Sequence, residues 1–289
     1  MHTELSSSSP SPSSTEENAE RYFTYNLKKI EYPNMNTSDI QIWRSLFKQC
    51  ASQRLFLPAI LIDYDSIIYL DTDVLVFTPI TQIWSFFNQM NQTQLAAATY
   101  ESEDYSSNWY YRFARHPYYP PYGLNSGVML MNLTRMRKFG WTERLPSILN
   151  EYRSKIVWGD QDIINIIFSK NIDRIFVMDC SWNYRPDHCV YSQTCRSAKQ
   201  NGIQILHGNR GSFVQPDKQP IFKMIFQLIE QFNLGRNESS TIIIIDELKQ
   251  IMFKQNNIVG QSNLKNNCDK IPNLIIKSIE SNIKNDNDN

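Results

Sequence analysis

The sequence predicts an α/β layered fold, and three observations predict it. Short β-branched apolar runs alternate with segments whose apolar residues recur at helical spacing. One run, Asp65–Phe77, is nearly continuous in Ile, Leu and Val, the pattern of a strand buried on both faces. The 289 residues are 41% hydrophobic and 20% charged, which suits one globular domain or one and a half.

Each element follows in turn. Residues 1–21 are Ser- and Pro-rich with almost no apolar content, and read as a disordered leader. Over Asp39–Leu57, the residues Ile40, Trp43, Phe47, Cys50, Ala51 and Leu55 recur at helical spacing, with Asp39 or Ser38 as N-cap and Pro58 following. Asp71 and Asp73 interrupt the buried run that comes next. Thr81–Met90 reads as a short helix and Leu95–Thr99 as a small-residue strand. Residues 100–123 look irregular, crowded with aromatics, Arg and Pro. Asn125–Leu133 is a second buried strand, followed by a helical region, and Trp158–Ile167 is a loop running into a helix. Arg174–Met178 and Ile203–Leu206 complete the strands, the last ending at His207. An ordered domain over 22–233 therefore precedes an Asn-, Lys- and Ile-rich tail, 234–289, which reads as a helical or disordered appendage without an assigned role.

Twenty-nine basic residues balance twenty-nine acidic ones, so the basic excess of a large nucleic-acid footprint is missing. No run reaches the ~20 apolar residues of a membrane span, and no charged-then-apolar signal opens the chain. Fifteen Tyr, fifteen Phe and six Trp suit either a core or the stacking of carbohydrate. Sequons at Asn36, Asn91, Asn132 and Asn237 favour a secretory compartment only slightly, since an Asn-rich chain produces several by chance.

Four motifs carry chemistry. Asp71-Thr72-Asp73 puts two carboxylates on one side of an extended segment. Inside an apolar run they need compensation, which a divalent cation supplies; the plainer alternative is a strand-end pair capping the next helix. His207 ends the last strand, with Gly208 and Gly211 giving a loop whose backbone can approach phosphate oxygens. A lone His there is more often structural. Arg210 and Lys218 lie within reach of the same loop and could neutralise a diphosphate. An imidazole added to carboxylates and phosphate oxygens suits Mn²⁺ better than Mg²⁺ or Ca²⁺. Trp158-Gly-Asp-Gln-Asp162 places three polar groups after a glycine, of which at least one Asp can be a helix cap. Asn125-Ser-Gly127 opens a buried strand, or is a simple turn.

In this order the four motifs resemble family 8 of the retaining glycosyltransferases, and the longer stretches are closest to the animal glucoside xylosyltransferases. Those stretches are CASQRLFLP (50–58), YLDTDVL (69–75), WYYRFARHPYY (109–119), GLNSGVMLMNLTRMR (123–137), WGDQDIINIIF (158–168), CSWNYRPDHCVY (180–191), ILHGNRG (205–211) and DKQP (217–220). The resemblance implies a GT-A-like, Rossmann-type mixed sheet flanked by helices. It implies that Asp71, Asp73 and His207 bind Mn²⁺ bridging the diphosphate of UDP-xylose, and that Gly208, Gly211 and Lys218 cradle the phosphates. Asn125, Asp160 and Gln161 would hold the donor sugar, Gln161 nearest the reacting carbon. Glutamine is a poor nucleophile, so the favoured chemistry is same-face substitution, giving an α-xyloside on O-linked glucose of an EGF-like domain. Trp109, Arg112, Arg115, His116, Trp182, Asn183 and Arg185 are the acceptor-site candidates, each equally able simply to pack a long loop onto the sheet. Relatives are type II membrane proteins of the ER and Golgi lumen, a setting in which Cys189 and Cys195 could close a short loop and Cys180 could pair with Cys50. A zinc site at His188 lacks the C-x₂₋₄-C spacing.

The chain departs from the resemblance at its start. The signal-anchor and the first strand–helix–strand unit, part of the uridine wall, have no counterpart, so a truncated form with an exposed sheet edge is expected. Two alternatives stand beside a xylosyltransferase. One is a family 8 enzyme using another UDP-sugar, because a pocket separates xylose from glucose by only ~1–3 kcal/mol without polar contacts. The other is a non-catalytic binding module.

Overall fold

A computed structural model of the chain describes residues 41–43, 52–190, 193–215, 219–231, 242–251 and 267–287, with side chains at the last stretch through Lys284. The leader, the Asp39 or Ser38 cap, Cys50 and Lys218 lie outside the described residues.

Four strands form the main sheet: β1 (Ser66–Leu70), β3 (Ala96–Tyr100), β4 (Leu124–Asn132) and β5 (Ile175–Met178), in the order β1-β4-β3-β5. β4 runs antiparallel to both β1 and β3, whereas β5 runs parallel to β3, so the sheet is mixed as expected. A separate ribbon pairs β2 (Val74–Val76) with β6 (Ile205–His207) antiparallel. Helices Leu133–Phe139, Trp141–Tyr152 and Asp160–Ser169 accompany the sheet, and the last buries Ile163, Ile164, Ile166, Ile167 and Phe168. The small residues of β3, Ala96, Ala97 and Ala98, are wholly buried, which lets β4 and β5 close on it from both sides.

The long apolar run departs from expectation in two ways. It is two strands, not one, because a turn at 71–73 lies between β1 and β2 and sends them into different sheets. Carboxylates at Asp71 and Asp73 cannot enter an apolar layer unpartnered, so the chain leaves the sheet where they occur. β1 is also only half-buried along its length and lies at the edge of the described sheet. Segment 100–123, read as irregular, contains one helical turn, Trp109–Phe113, capped by Asn108 accepting from the Tyr111 amide at 2.9 Å.

The described parts of 234–289 are helical and packed. Ile245, Leu248 and Ile251 join Ile271, Ile275 and Ile279 in a core with Ile203, Leu206 and Phe222. The Ile203 amide donates to the Leu274 carbonyl at 2.9 Å, and a Cβ on Gly202 would lie 2.5 Å from that oxygen. Helix Ile271–Asn287 thus packs against the segment that leads into β6 and shares a core with Leu206 of that strand. The disulfides correct the expected pairing: Cys180 bonds Cys195 and Cys189 bonds Cys268. Cys189 and Cys195 therefore close no loop together, and the sulfur thought free for Cys50 is taken. The shared core brings Cys268, far along the chain, to Cys189.

Candidate metal and sugar-nucleotide site

The β2–β6 ribbon builds the centre. Its register sets His207 opposite Val74, and the Gly208 amide donates to the Asp73 carbonyl at 2.7 Å. The Asp71 amide donates to the Gly127 carbonyl at 2.8 Å, tying the turn to β4. Ligand atoms of Asp71, Asp73 and His207 consequently lie within 4.8 Å of one another. His207 Nε2 is 3.3 Å from Asp73 Oδ1 and 3.8 Å from Asp71 Oδ2. Gly127 is needed beside them, since a Cβ there would fall 2.1 Å from His207 Cε1.

A chain of hydrogen bonds fixes which imidazole nitrogen carries the proton. It starts at Glu101, whose carboxylate can only accept. Asn125 must therefore donate through Nδ2 to Glu101 Oε2, at 2.7 Å, and accept through Oδ1 from the Gly127 amide and from Asn183 Nδ2, at 2.9 and 2.8 Å. That orients Asn183 Oδ1 toward His207 Nδ1, 2.8 Å away, and an oxygen there requires Nδ1–H. Nε2 is left with a lone pair facing two carboxylates. Three acceptors converging on one point is a donor set that fits a divalent cation, with Asn183 as the outer partner that metal-bound histidines need.

Arg54 forms the opposite wall. Its guanidinium lies 3.2 Å from Asp71 and 2.5 Å from Asp160, donates to the Ser126 carbonyl, and covers the Tyr69 ring. Burial pushes the Asp160 carboxyl up to about 6 even though Arg54 pulls it down. Gly159, at φ 66, turns the chain so that Asp160 and Gln161 open the helix Asp160–Ser169 at the site. Gln161 Oε1 accepts from the Ser126 amide and hydroxyl at 3.1 and 3.3 Å, and Nε2 donates to Glu101 Oε2 and the Tyr110 hydroxyl, both at 3.2 Å. Asp162 is the structural acid of the motif. It accepts from the Val157 and Trp158 amides at 2.7 Å and from the Tyr110 hydroxyl at 2.9 Å.

These groups line a cleft of about 230 Å³ that holds Asp71, Asp73, His207, Asn125, Asp160 and Gln161 together. A neighbouring cleft of about 320 Å³ is lined by Trp109, Arg112, Phe113 and Trp158, with Ser102, Ser106 and Ser107. Of the acceptor candidates, Trp109 and Arg112 face this second cleft. Arg115 is exposed and lines neither. His116 is buried 3.3 Å from Asp162, and Trp182 packs edge-on against Phe86 at 5.1 Å. Asn183 belongs to the metal relay, and Arg185 is fully buried, donating to the Tyr100 and Glu101 carbonyls. Gly208 is required by the Phe213 ring, 2.3 Å from where its Cβ would be, and Gly211 by φ 75.

Sequence reasoning gave no role to Arg54 or Glu101. A signal for the second existed: Glu101-Ser-Glu103 follows β3 with the same acid spacing as Asp71-Thr-Asp73. Arg54 showed only as a cation inside an apolar helical pattern.

Mouse xyloside xylosyltransferase 1, in its apo crystal form, resembles this fold at 22% identity and a TM-score of 0.40, over 57% of this chain and 66% of that one. Glucoside xylosyltransferase 1 of Mus musculus is 42% identical over 276 residues, covering 92% of this chain and 65% of its own length. Glucoside xylosyltransferase 2 of Xenopus laevis is 42% identical over 275 residues, 91% of this chain and 62% of its own. The chain thus spans less than two thirds of the length of these relatives. The family profile described as glycosyl transferase family 8 matches residues 13–212, and with that match over the strands and site just described, the chain belongs to glycosyl transferase family 8.

Proposed function

We propose that this chain transfers xylose from UDP-xylose, in α linkage, to O-linked glucose on an EGF-like domain, using Mn²⁺. The observation that carries the reading is the lone pair of His207 Nε2 turned onto Asp71 and Asp73 by the Glu101–Asn125–Asn183 relay. Bound there, a divalent cation would supply the Lewis acid that takes up charge on a departing diphosphate. The chain's own residues do the rest. Asn125 and Gln161 present amides, and Asp160 a carboxyl, along one wall of the cleft. Each amide is already engaged with Glu101, which fixes its orientation before substrate arrives. Gln161 offers no strong nucleophile, which supports attack by the acceptor hydroxyl on the face the diphosphate leaves. Gly208 and Gly211, with Lys218, would cradle the phosphates. The aromatic cleft around Trp109, with its three serine hydroxyls, suits a glucose ring whose apolar face stacks while its hydroxyls are bonded. Two disulfides and relatives of this kind support a site of action in the ER or Golgi lumen, with any membrane attachment outside the described residues. No described helix is long and apolar enough to cross a membrane.

The test has two parts. UDP with Mn²⁺ should raise the melting temperature of the full chain more than either alone, and Asp73→Asn should abolish the gain. Transfer from radiolabelled UDP-sugars to an O-glucosylated EGF-like domain then identifies donor and acceptor. Label moving from UDP-glucose rather than UDP-xylose would reassign the donor. A chain that binds UDP and Mn²⁺ but transfers nothing would be a binding module.

A further inference from the structure

Arg210 lines both the metal cleft and the aromatic cleft. It sits between two glycines with a left-handed backbone, φ 57, a conformation that a non-glycine residue holds only under constraint. The consequence is the direction of its side chain. Nη2 lies 3.0 Å from Asp187 Oδ2 and Nη1 donates to Asp187 Oδ1 at 3.2 Å, a fork-on-fork pair. The guanidinium carbon lies 5.5 Å from the centre of the Trp158 ring, and Nη2 is 3.7 Å from Glu101 Oε1.

Arg210, Glu101 and Trp158 are shared by the metal cleft and the aromatic cleft. Any group passing from a donor in one to an acceptor in the other crosses at these three residues. Glu101 spends its other oxygen, Oε2, on the amides of Asn125 and Gln161. Oε1 is left facing Arg210 across a gap too long for a direct hydrogen bond. A hydroxyl both donates and accepts, so one lying beside the pair, off the line that joins Oε1 and Nη2, could donate to Oε1 and accept from Nη2 at once.

We infer that Arg210 and Glu101 together seat the attacking hydroxyl of a sugar acceptor, with Asp187 and Trp158 holding the guanidinium in place. The inference rests on the transfer reaction proposed above. Arg210 is thereby a determinant of the acceptor and not of the nucleotide. Its side chain is 43% exposed, so the variants should fold.

The test compares wild type, Arg210→Ala, Arg210→Lys and Asp187→Asn as full chains, using UDP-xylose, Mn²⁺ and an O-glucosylated EGF-like domain. Three readouts are taken: acceptor KM, the share of donor lost to water as free xylose, and the melting-temperature gain from UDP with Mn²⁺. Arg210→Ala should raise acceptor KM about tenfold or more and increase the hydrolysed share, since water replaces an ill-held hydroxyl, while the UDP–Mn²⁺ gain persists. Asp187→Asn should move both kinetic readouts the same way, less far. Arg210→Lys should be intermediate, because an ammonium keeps the charge but loses the fork and the stacking. Unchanged acceptor KM and hydrolysis in Arg210→Ala overturns the inference. So does loss of the UDP–Mn²⁺ gain in that variant, which returns Arg210 to the diphosphate. Absence of turnover in wild type instead refutes the transfer reaction itself, and the inference with it.

Discussion

Gly127→Ala tests the metal site without replacing any of its ligands. The new methyl would start 2.1 Å from His207 Cε1, 2.6 Å from Nδ1 and 3.0 Å from Nε2. Ordinary carbon contacts lie at about 3.5–4.0 Å, so the ring must withdraw by roughly 1.5 Å. Metal–nitrogen distances tolerate only about 0.2 Å. The ring cannot slide freely either, because Asn183 holds Nδ1 at 2.8 Å. Mn²⁺ affinity should fall at least as far as it does when an outer partner is lost, about 10–100-fold. Overpacking should cost about 1–3 kcal/mol, a drop of several degrees that leaves the protein folded. Gly127 is not among the left-handed glycines, so alanine brings no backbone penalty. The assay is the melting temperature in chelator, then with Mn²⁺ and UDP. Combining Gly127→Ala with His207→Ala should recover the temperature lost in chelator but not the metal response. A Mn²⁺ response of wild-type size in Gly127→Ala would refute the packing argument and the place of His207 among the ligands.

Three other outcomes are expected. Asn183→Ala cuts the relay and frees the imidazole to choose its tautomer; titration of Mn²⁺ in the presence of UDP should show about 10–100-fold weaker binding, and equal affinity would sink the relay. Cys268→Ser opens a loop of sequence separation 79, so urea unfolding should show a loss of about 4 kcal/mol, and an unmoved midpoint would contradict it. Burial pushes the Glu103 carboxyl up to about 7 although Arg185 pulls it down. A carboxyl raised in the fold above its ordinary 4.5 gives stability that is complete below 4.5 and fades as pH rises through about 7. Glu103→Gln should therefore be more stable than wild type at pH 8 by about 1–3 kcal/mol, with the difference closing toward pH 5; a gap that widens in acid reverses the sign and defeats the account.

The alternation of elements was legible because each strand and helix carries its own period, and the motif residues Asp71, Asp73, Asn125, Gln161 and His207 do share one cleft. What could not be read was how the chain distributes those elements between sheets. A run such as SIIYLDTDVLV looks like one strand because periodicity does not report a turn that only a carboxylate pair demands. The same limit hid the relay. Asn183 and Arg185 read as acceptor-site candidates or as packing for a long loop, but a parallel bridge between Tyr184 and Leu206 draws their segment beneath His207. Asn183 thereby becomes the imidazole's partner and Arg185 the buried neighbour of Glu101. The Cys189–Cys268 bond was illegible for a related reason, since tertiary contact rather than spacing selects a cysteine's partner.

The helix Ile271–Asn287 changes how the metal ligands must be thought of in time. His207 is synthesised long before the segment that braces its strand, and the covalent clasp at Cys189 waits for a sulfur 79 positions downstream. A nascent chain can hold both aspartates and the histidine and still lack the wall that aligns them. Maturation of the centre is thus coupled to oxidation of a distant cysteine, so a mild reductant that never reaches the ligands should still loosen their grip on the ion.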